Sequence, residues 1–175
     1  AYGNEPLSTY FSGAFDKDEF EIHLTKGSLE DDHMVKFYAK RYFKPFWYGE
    51  LENTQNLLEA IEKSFFHGLQ KSKYSFSDKI NSLTALEFEI AAMRSFLVLI
   101  SDLSSGILEP VEVDKSISVY PTEISNKEIY EIISSKENGD LNVMKFIYSF
   151  APKDLEYNKL RNELNRLREV IVNTG

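Results

Sequence analysis

From residue 30 onward, apolar side chains recur at steps of three and four. Met34, Phe37 and Tyr38, with Arg41 beside them, follow an acidic start at Glu30, Asp31 and Asp32. Acids there suit the positive end of a helix dipole, so the spacing predicts a helix. Pro45 breaks it and leaves an aromatic turn of Phe43, Phe46, Trp47 and Tyr48. A second helix is predicted from Asn53 to His67, with Leu57, Leu58, Ile61 and Phe65 as its apolar stripe. His67–Gly68 reads as its end, a cation-capable residue followed by one free to turn left-handed. Ser77 to Leu83 suits a short helix. Ala85 to Ser105 is the most apolar element: Leu86, Ile90, Met93, Leu97, Ile100 and Leu103 make one face, and Phe88, Phe96, Val98 and Leu99 cover much of the rest. A helix apolar nearly all round belongs at the centre of a core.

Past Gly106, Val111, Val113, Ile117 and Val119 keep a period of two up to Pro121, which predicts an extended stretch. Ser125 and Glu128 have the spacing of a capping box, ahead of a helix carrying Ile129, Ile132 and Ile133 and closed by Asn138–Gly139. Leu141 to Phe150 is the next helix, stopped by Pro152. The last runs from Lys153 to Val172, with Tyr157, Leu160, Leu164, Leu167 and Ile171 in steps of three and four. Near the start, Phe20, Ile22 and Leu24 read equally well as a short strand cut off by Gly27 or as a short helix. The expectation is a mainly α protein, a single globular domain of about seven helices with one or two short extended segments. Residues 1–30 form an irregular or short helix/strand segment, 31–172 the helical domain, and 173–175 the start of a linker.

Composition narrows the function more than the fold. At 175 residues, 42% of them hydrophobic and 14% aromatic, the chain has the makings of a packed core. There is no cysteine, which removes disulfides, thiolate metal sites and a cysteine nucleophile. The net charge of −8 argues against a nucleic-acid partner, which needs a basic face. No apolar run approaches the ~20 residues of a membrane span; the longest is Phe96 to Ile100.

Candidate chemistry is sparse. His23, His33 and His67 lack metal-ligand spacing. Asp31–Asp32 reads as a helix first turn, and Glu87 and Glu89 point to different sides of their helix. No phosphate loop and no Gly-x-Ser-x-Gly elbow is present. The expectation is therefore no catalytic residue, no metal site and no cofactor. The densest feature is aromatic: Phe37, Tyr38, Tyr42, Phe43, Phe46, Trp47 and Tyr48. They suit a stacking platform for sugar rings or a partner chain, or a plug for one end of the core. Arg41 among them suits stacking or pairing with a buried acid. The terminal helix suits a coiled-coil seam or packing on its own domain.

One series of residues carries a resemblance. Phe37-Tyr38-x-x-Arg41-Tyr42-x-x-Pro45-x-Trp47 is followed by Leu57, Leu58, Gly68-Leu69 and Tyr74. Later come Asp102-Leu103-x-x-Gly106-x-x-x-Pro110, then Pro152 with Tyr157, Leu160, Leu164 and Arg168. The series resembles the helical scaffold domain at the N-terminal side of large bacterial L,D-transpeptidases, over Met34 to Ile171. Lys71 departs from that pattern, which often has proline there. The resemblance implies a periplasmic or cell-envelope setting in peptidoglycan cross-linking. Those enzymes carry their cysteine nucleophile, in a Ser-x-Gly-Cys segment with a histidine, on a separate β-rich domain. This chain has no cysteine, so only the support role carries over. The implied partners are the catalytic and wall-binding domains of the same parent chain, or a separate wall enzyme, or peptidoglycan itself. The residues singled out for scaffold or interface roles are Phe37, Tyr38, Arg41, Pro45, Trp47, Gly68, Leu69, Tyr74, Asp102, Gly106, Pro110, Pro152, Tyr157 and Leu160. The alternative is a stand-alone helical interaction protein that binds a wall enzyme or glycan through the Trp47 region or the terminal helix.

Overall fold

The most apolar stretch of sequence becomes the axis of the molecule. In the computed structural model, which describes residues 7–11, 13–27, 32–105, 124–136, 141–153 and 155–174, it is one helix, Ala85–Ser105. Seven α-helices occur among the described residues. They are α1 (Lys17–Ile22), α2 (Asp32–Lys40), α3 (Leu51–Lys63), α4 (Ala85–Ser105), α5 (Asn126–Ser135), α6 (Val143–Tyr148) and α7 (Leu155–Thr174). Short 3-10 turns at Leu7–Phe11, Ser64–His67, Lys71–Lys73 and Ser77–Ser82 join or flank them.

On α4 only a narrow strip of Glu87, Arg94, Val98 and Ser101 is exposed. Phe88, Ala92, Met93, Phe96, Leu99 and Ile100 are buried around the rest. Each large side chain so buried contributes about 1.5–3 kcal/mol. Helices α3 and α6 pack on α4 and on each other, α2 packs on α5, and α7 lies against the Ser64–His67 turn.

Helix ends follow the local chemistry. Ser125 and Glu128 cap α5 reciprocally, as their spacing predicts. The Asn142 side chain accepts the Lys145 N–H and starts α6. The ambiguous segment at Phe20–Leu24 is helical, continuing α1 through a π turn at His23–Gly27. Asp16 decides this, because its side chain accepts the N–H groups of Asp18 and Glu19. Phe20 and Leu24, four residues apart, then share one buried face and Ile22 is left exposed.

No strand occurs among the described residues. The extended stretch expected at Val111–Val119 lies outside them, as do Gly106, Pro110 and Asn138–Gly139. The short helix expected at Ser77–Leu83 is present as a 3-10 helix, Ser77–Ser82. Phe65, assigned to the buried stripe of the second helix, is 39% exposed. That helix ends with a turn running past the core, so Phe65 packs on Phe66 and under the Arg168 guanidinium instead. The backbone of α7 stays helical through Asn173 and Thr174.

Candidate functional site

The aromatic turn after α2 is bent by its backbone. Tyr42 and Phe43 have φ of 55° and 54°, left-handed values that cost side-chain-bearing residues about 1–3 kcal/mol each. The bend aims three successive backbone N–H groups inward at one carboxylate, that of Glu89. Phe46 donates to Oε1 at 2.7 Å, and Tyr48 to Oε2 at 2.8 Å. Trp47 donates to Oε2 at 3.1 Å and to Oε1 at 3.3 Å. The Tyr38 hydroxyl donates to Oε1 at 2.5 Å. The carbonyls of the same turn are met from α3: Asn53 donates to Phe46 O at 3.0 Å and Thr54 to Trp47 O at 2.7 Å.

Glu89 and Trp47 are both 0% exposed. Burial pushes the Glu89 carboxyl up, against the opposing pull of its four donors. Burial and the Glu89 charge push the Tyr38 phenol up as well. With each oxygen held by protein donors and no surface open to water, Glu89 is closed to any substrate. It is a clamp that holds a strained turn to α4.

Around the clamp the rings of Phe37, Phe46 and Trp47 pack edge to face, and Phe96 closes over Trp47. Arg41 lies over Phe46 and Phe37, at 5.1 and 5.6 Å, and donates to Pro45 O at 3.4 Å. So Arg41 stacks, while the buried acid is met by the backbone. Trp47 presents no face to a sugar ring, so the buried part of the aromatic cluster is a plug, while Tyr42 stands 78% exposed at its edge.

A second tie joins the turn after α3 to the far half of α4. Gly68 (φ 80°) ends the Ser64–His67 turn and Leu69 is buried behind it. Tyr74, also buried, then donates to Asp102 Oδ2 at 2.5 Å, and Lys73 pairs with the same oxygen at 2.6 Å. Burial and the Asp102 carboxylate push the Tyr74 phenol up. Lys71, the departure from the family pattern, pairs with Glu62.

A third contact docks α7. His67 Nδ1 and the Tyr157 hydroxyl share a 2.5 Å hydrogen bond, and the His67 ring stacks on Tyr148 at 4.9 Å. Tyr148 in turn donates to Ala60 O at 2.7 Å. Burial, helped by Arg161, pulls the His67 pKa down to about 4. His67 is therefore a neutral stacking residue rather than a cation serving the helix dipole. Leu164 approaches Gly68, and Arg168 donates to Phe65 O. Among the described side chains of α7, those away from this edge stand in solvent: Leu160 is 72% and Leu167 48% exposed. Pro152 sits half-buried between α6 and α7.

The structure thus gathers Phe37, Tyr38, Arg41, Pro45 and Trp47 into one cluster, joins Tyr74 to Asp102, and sets Tyr157 on His67, the neighbour of Gly68. Leu160 stands apart in solvent. The residue missed by sequence reasoning is Glu89. Its signal is an acid flanked directly by Phe88 and Ile90 in the most apolar helix. Glu87 is unrelated in role: its side chain caps α4 by accepting from Thr84. Among the described residues no three His, Asp or Glu side chains assemble as a metal site, and no helix is long and apolar enough to cross a membrane.

The sequence is similar to a family described as "Scaffold domain", whose model matches residues 32–164. That range contains the Glu89 clamp, the Tyr74–Asp102 tie and the His67–Tyr157 contact. No curated protein and no solved structure matches the chain.

Proposed function

The chain belongs to the scaffold-domain family, and from that premise we propose that it is the non-catalytic scaffold region of an L,D-transpeptidase-like protein of the cell envelope. In this reading it supports the catalytic and wall-binding parts of a peptidoglycan cross-linking enzyme. The carrying observation is that the residues bearing the resemblance serve rigidity. Tyr38 and Trp47 hold a carboxylate spent on the fold, Phe37 packs on the Tyr38 ring, and Tyr74 and Asp102 tie a loop to the central helix. Such a body transmits position and performs no chemistry.

Two measurements test this. The coding frame around these residues is expected to include a β-rich domain with a histidine and a Ser-x-Gly-Cys segment. A frame without one overturns the transpeptidase assignment and leaves family membership intact. Incubated with tetrapeptide muropeptides, the purified chain is expected to yield no 3-3 cross-links by mass spectrometry; any cross-linking overturns the non-catalytic role.

A second reading, a stand-alone interaction protein of the envelope, draws on the exposed edge of α7, where Leu160, Leu167 and Val170 face solvent. Leu160→Glu with Leu167→Glu separates the two. Loss of a captured wall enzyme at unchanged stability favours the interaction protein, and unchanged capture removes it.

A further inference from the structure

One ring of the aromatic cluster takes no part in the plug. Tyr42 is 78% exposed, although its backbone is held at φ 55°. The clamp needs the bend there and not the ring. Glycine takes a left-handed φ without strain, whereas a tyrosine repays that strain only if its side chain is used. The rings that pack around the clamp are those of Phe37, Phe46, Trp47 and Phe96. Charge marks the same end of the molecule. From His33 to Gly49 the chain carries Lys36, Lys40, Arg41 and Lys44 and no acid, although its net charge is −8. Arg41 is engaged over Phe46 and Phe37. Lys36, Lys40 and Lys44 are exposed, and none of them is in an ion pair among the described residues. Lys36 and Lys40 stand one turn apart on α2, a rise of about 6 Å, on the face away from buried Met34, Phe37 and Tyr38. The Tyr42 N–H donates to Ala39 O at 3.0 Å and the Lys44 N–H to Arg41 O at 3.1 Å, which keeps both residues coiled against the end of α2. The carboxylates of the elements packed nearby are spent: Glu89 is buried in the clamp, and Glu131 of α5 faces Lys127. Asp32 and Glu50 bound the basic run at either end.

We propose that Tyr42, with Lys36, Lys40 and Lys44, is a binding surface for a carboxylate-bearing glycan, one sugar ring stacking on Tyr42 and the carboxylates of the chain meeting the lysine ammonium groups. An anionic polymer is repelled by most of this protein and attracted here. At its exposure the tyrosine offers a flat face rather than a cleft, which suits a sugar ring and gives the apolar side chain of a peptide little burial. Single-stranded nucleic acid binds through successive stacked bases, and Tyr42 is the one exposed ring of the cluster. An anionic membrane gains the lysines but buries little of a single ring, and it meets the acidic remainder of the chain. A second copy of this chain brings a like patch and a like net charge. The backbone under Tyr42 is fixed by the clamp, so little ordering cost falls on the protein side. The inference is independent of the transpeptidase reading, because it concerns what this domain grips whatever its parent chain.

The probe is fluorescein-labelled hexagalacturonate, followed by anisotropy against the full 175-residue chain. Saturable binding with a Kd below about 1 mM is expected, weakening as salt rises. Tyr42→Ala, and separately Lys36→Gln, Lys40→Gln and Lys44→Gln combined, are each expected to weaken it roughly tenfold or more. Both are surface changes, and Tm is expected to move by less than about 4 °C. Tyr42→Phe keeps the ring and is expected to bind like wild type. If the combined lysine variant misfolds, Tyr42→Ala and Tyr42→Phe decide alone. No saturation, or wild-type binding by Tyr42→Ala or by the lysine variant, overturns the inference. So does a larger fall in Tm with Tyr42→Ala, which makes the ring structural. Equal binding of neutral hexa-N-acetylglucosamine removes the role of the carboxylates and overturns it as well. Binding of hexaglutamate, of a thymidine hexanucleotide or of phosphatidylglycerol vesicles as tight as that of the probe also overturns it, assigning the patch to an acidic peptide, a nucleic acid or a membrane.

Discussion

Glu89→Gln is the most informative single change in this fold. It keeps the shape of the side chain and removes one acceptor oxygen. The remaining amide oxygen can take the place of Oε1 and keep the Tyr38 hydroxyl and the Phe46 N–H. The amide nitrogen then faces the Tyr48 N–H, which donated to Oε2 at 2.8 Å, and Trp47 keeps only its longer 3.3 Å contact. An unmet buried N–H costs about 1–3 kcal/mol. Relief of the buried charge offsets part of this. The net expectation is a loss of about 1–2 kcal/mol, or a fall in Tm of roughly 2–8 °C for a chain of this size. Glu89→Leu removes every acceptor while leaving all four donors in place, so it is expected to cost more than Glu89→Gln. Urea unfolding followed by tryptophan emission is the natural assay, because Trp47 is the one tryptophan in the chain and sits in the clamp. Circular dichroism at the same urea concentrations reports the helices, and coincident curves license the two-state treatment. A loss below about 0.5 kcal/mol, the scale of an ordinary surface change, or a Leu variant as stable as wild type, would refute the clamp.

The remaining expectations concern the other two contacts. His67 is neutral in the fold, its pKa lowered from 6.5 to about 4 by burial and Arg161, so its contribution is fully present above pH 6.5 and is lost as pH falls toward 4. Helicity and the Tyr157–Tyr148 environment, followed by pH titration of circular dichroism and tyrosine emission, are expected to change across that window, and His67→Phe is expected to flatten the change. An equally steep profile in the variant removes His67 as its source. Gly68→Ala places a side chain at φ 80°; its Cβ meets Leu164 at an ordinary 3.6 Å, so backbone strain alone is expected, about 1 kcal/mol by urea unfolding. A neutral result means the turn adopts another conformation. Tyr74→Phe removes the hydrogen bond to Asp102 and is expected to cost about 1 kcal/mol. A stabilised variant contradicts the tie.

What the sequence made legible, and what it hid, divides along a physical line. Helices α2 to α7 announce themselves because burial against a core imposes a three-and-four rhythm on residue identity, and caps such as Ser125–Glu128 add a residue-specific signature. The Phe20–Leu24 segment stayed ambiguous because Phe20, Ile22 and Leu24 satisfy a period of two over five residues, while Phe20 and Leu24 alone satisfy a step of four. Only the cap from Asp16 and the exposure of Ile22 separate the cases. Glu89 was hidden for a deeper reason. Three of its four partners are backbone N–H groups of Phe46, Trp47 and Tyr48, and backbone groups leave no trace in residue identity. What brings them together is a left-handed bend at Tyr42 and Phe43, residues with no particular preference for it. The bend persists because Glu89 and α3 over-determine it from two sides. The even seam of α7 was similarly misleading: the run Tyr157, Leu160, Leu164, Leu167 reads as one face, yet docking through Tyr157 and Leu164 turns Leu160 and Leu167 out to solvent. A periodic pattern says that a face is apolar; which half of it the domain keeps for itself is fixed by tertiary contacts such as His67, and the half left over is where a scaffold can meet something else.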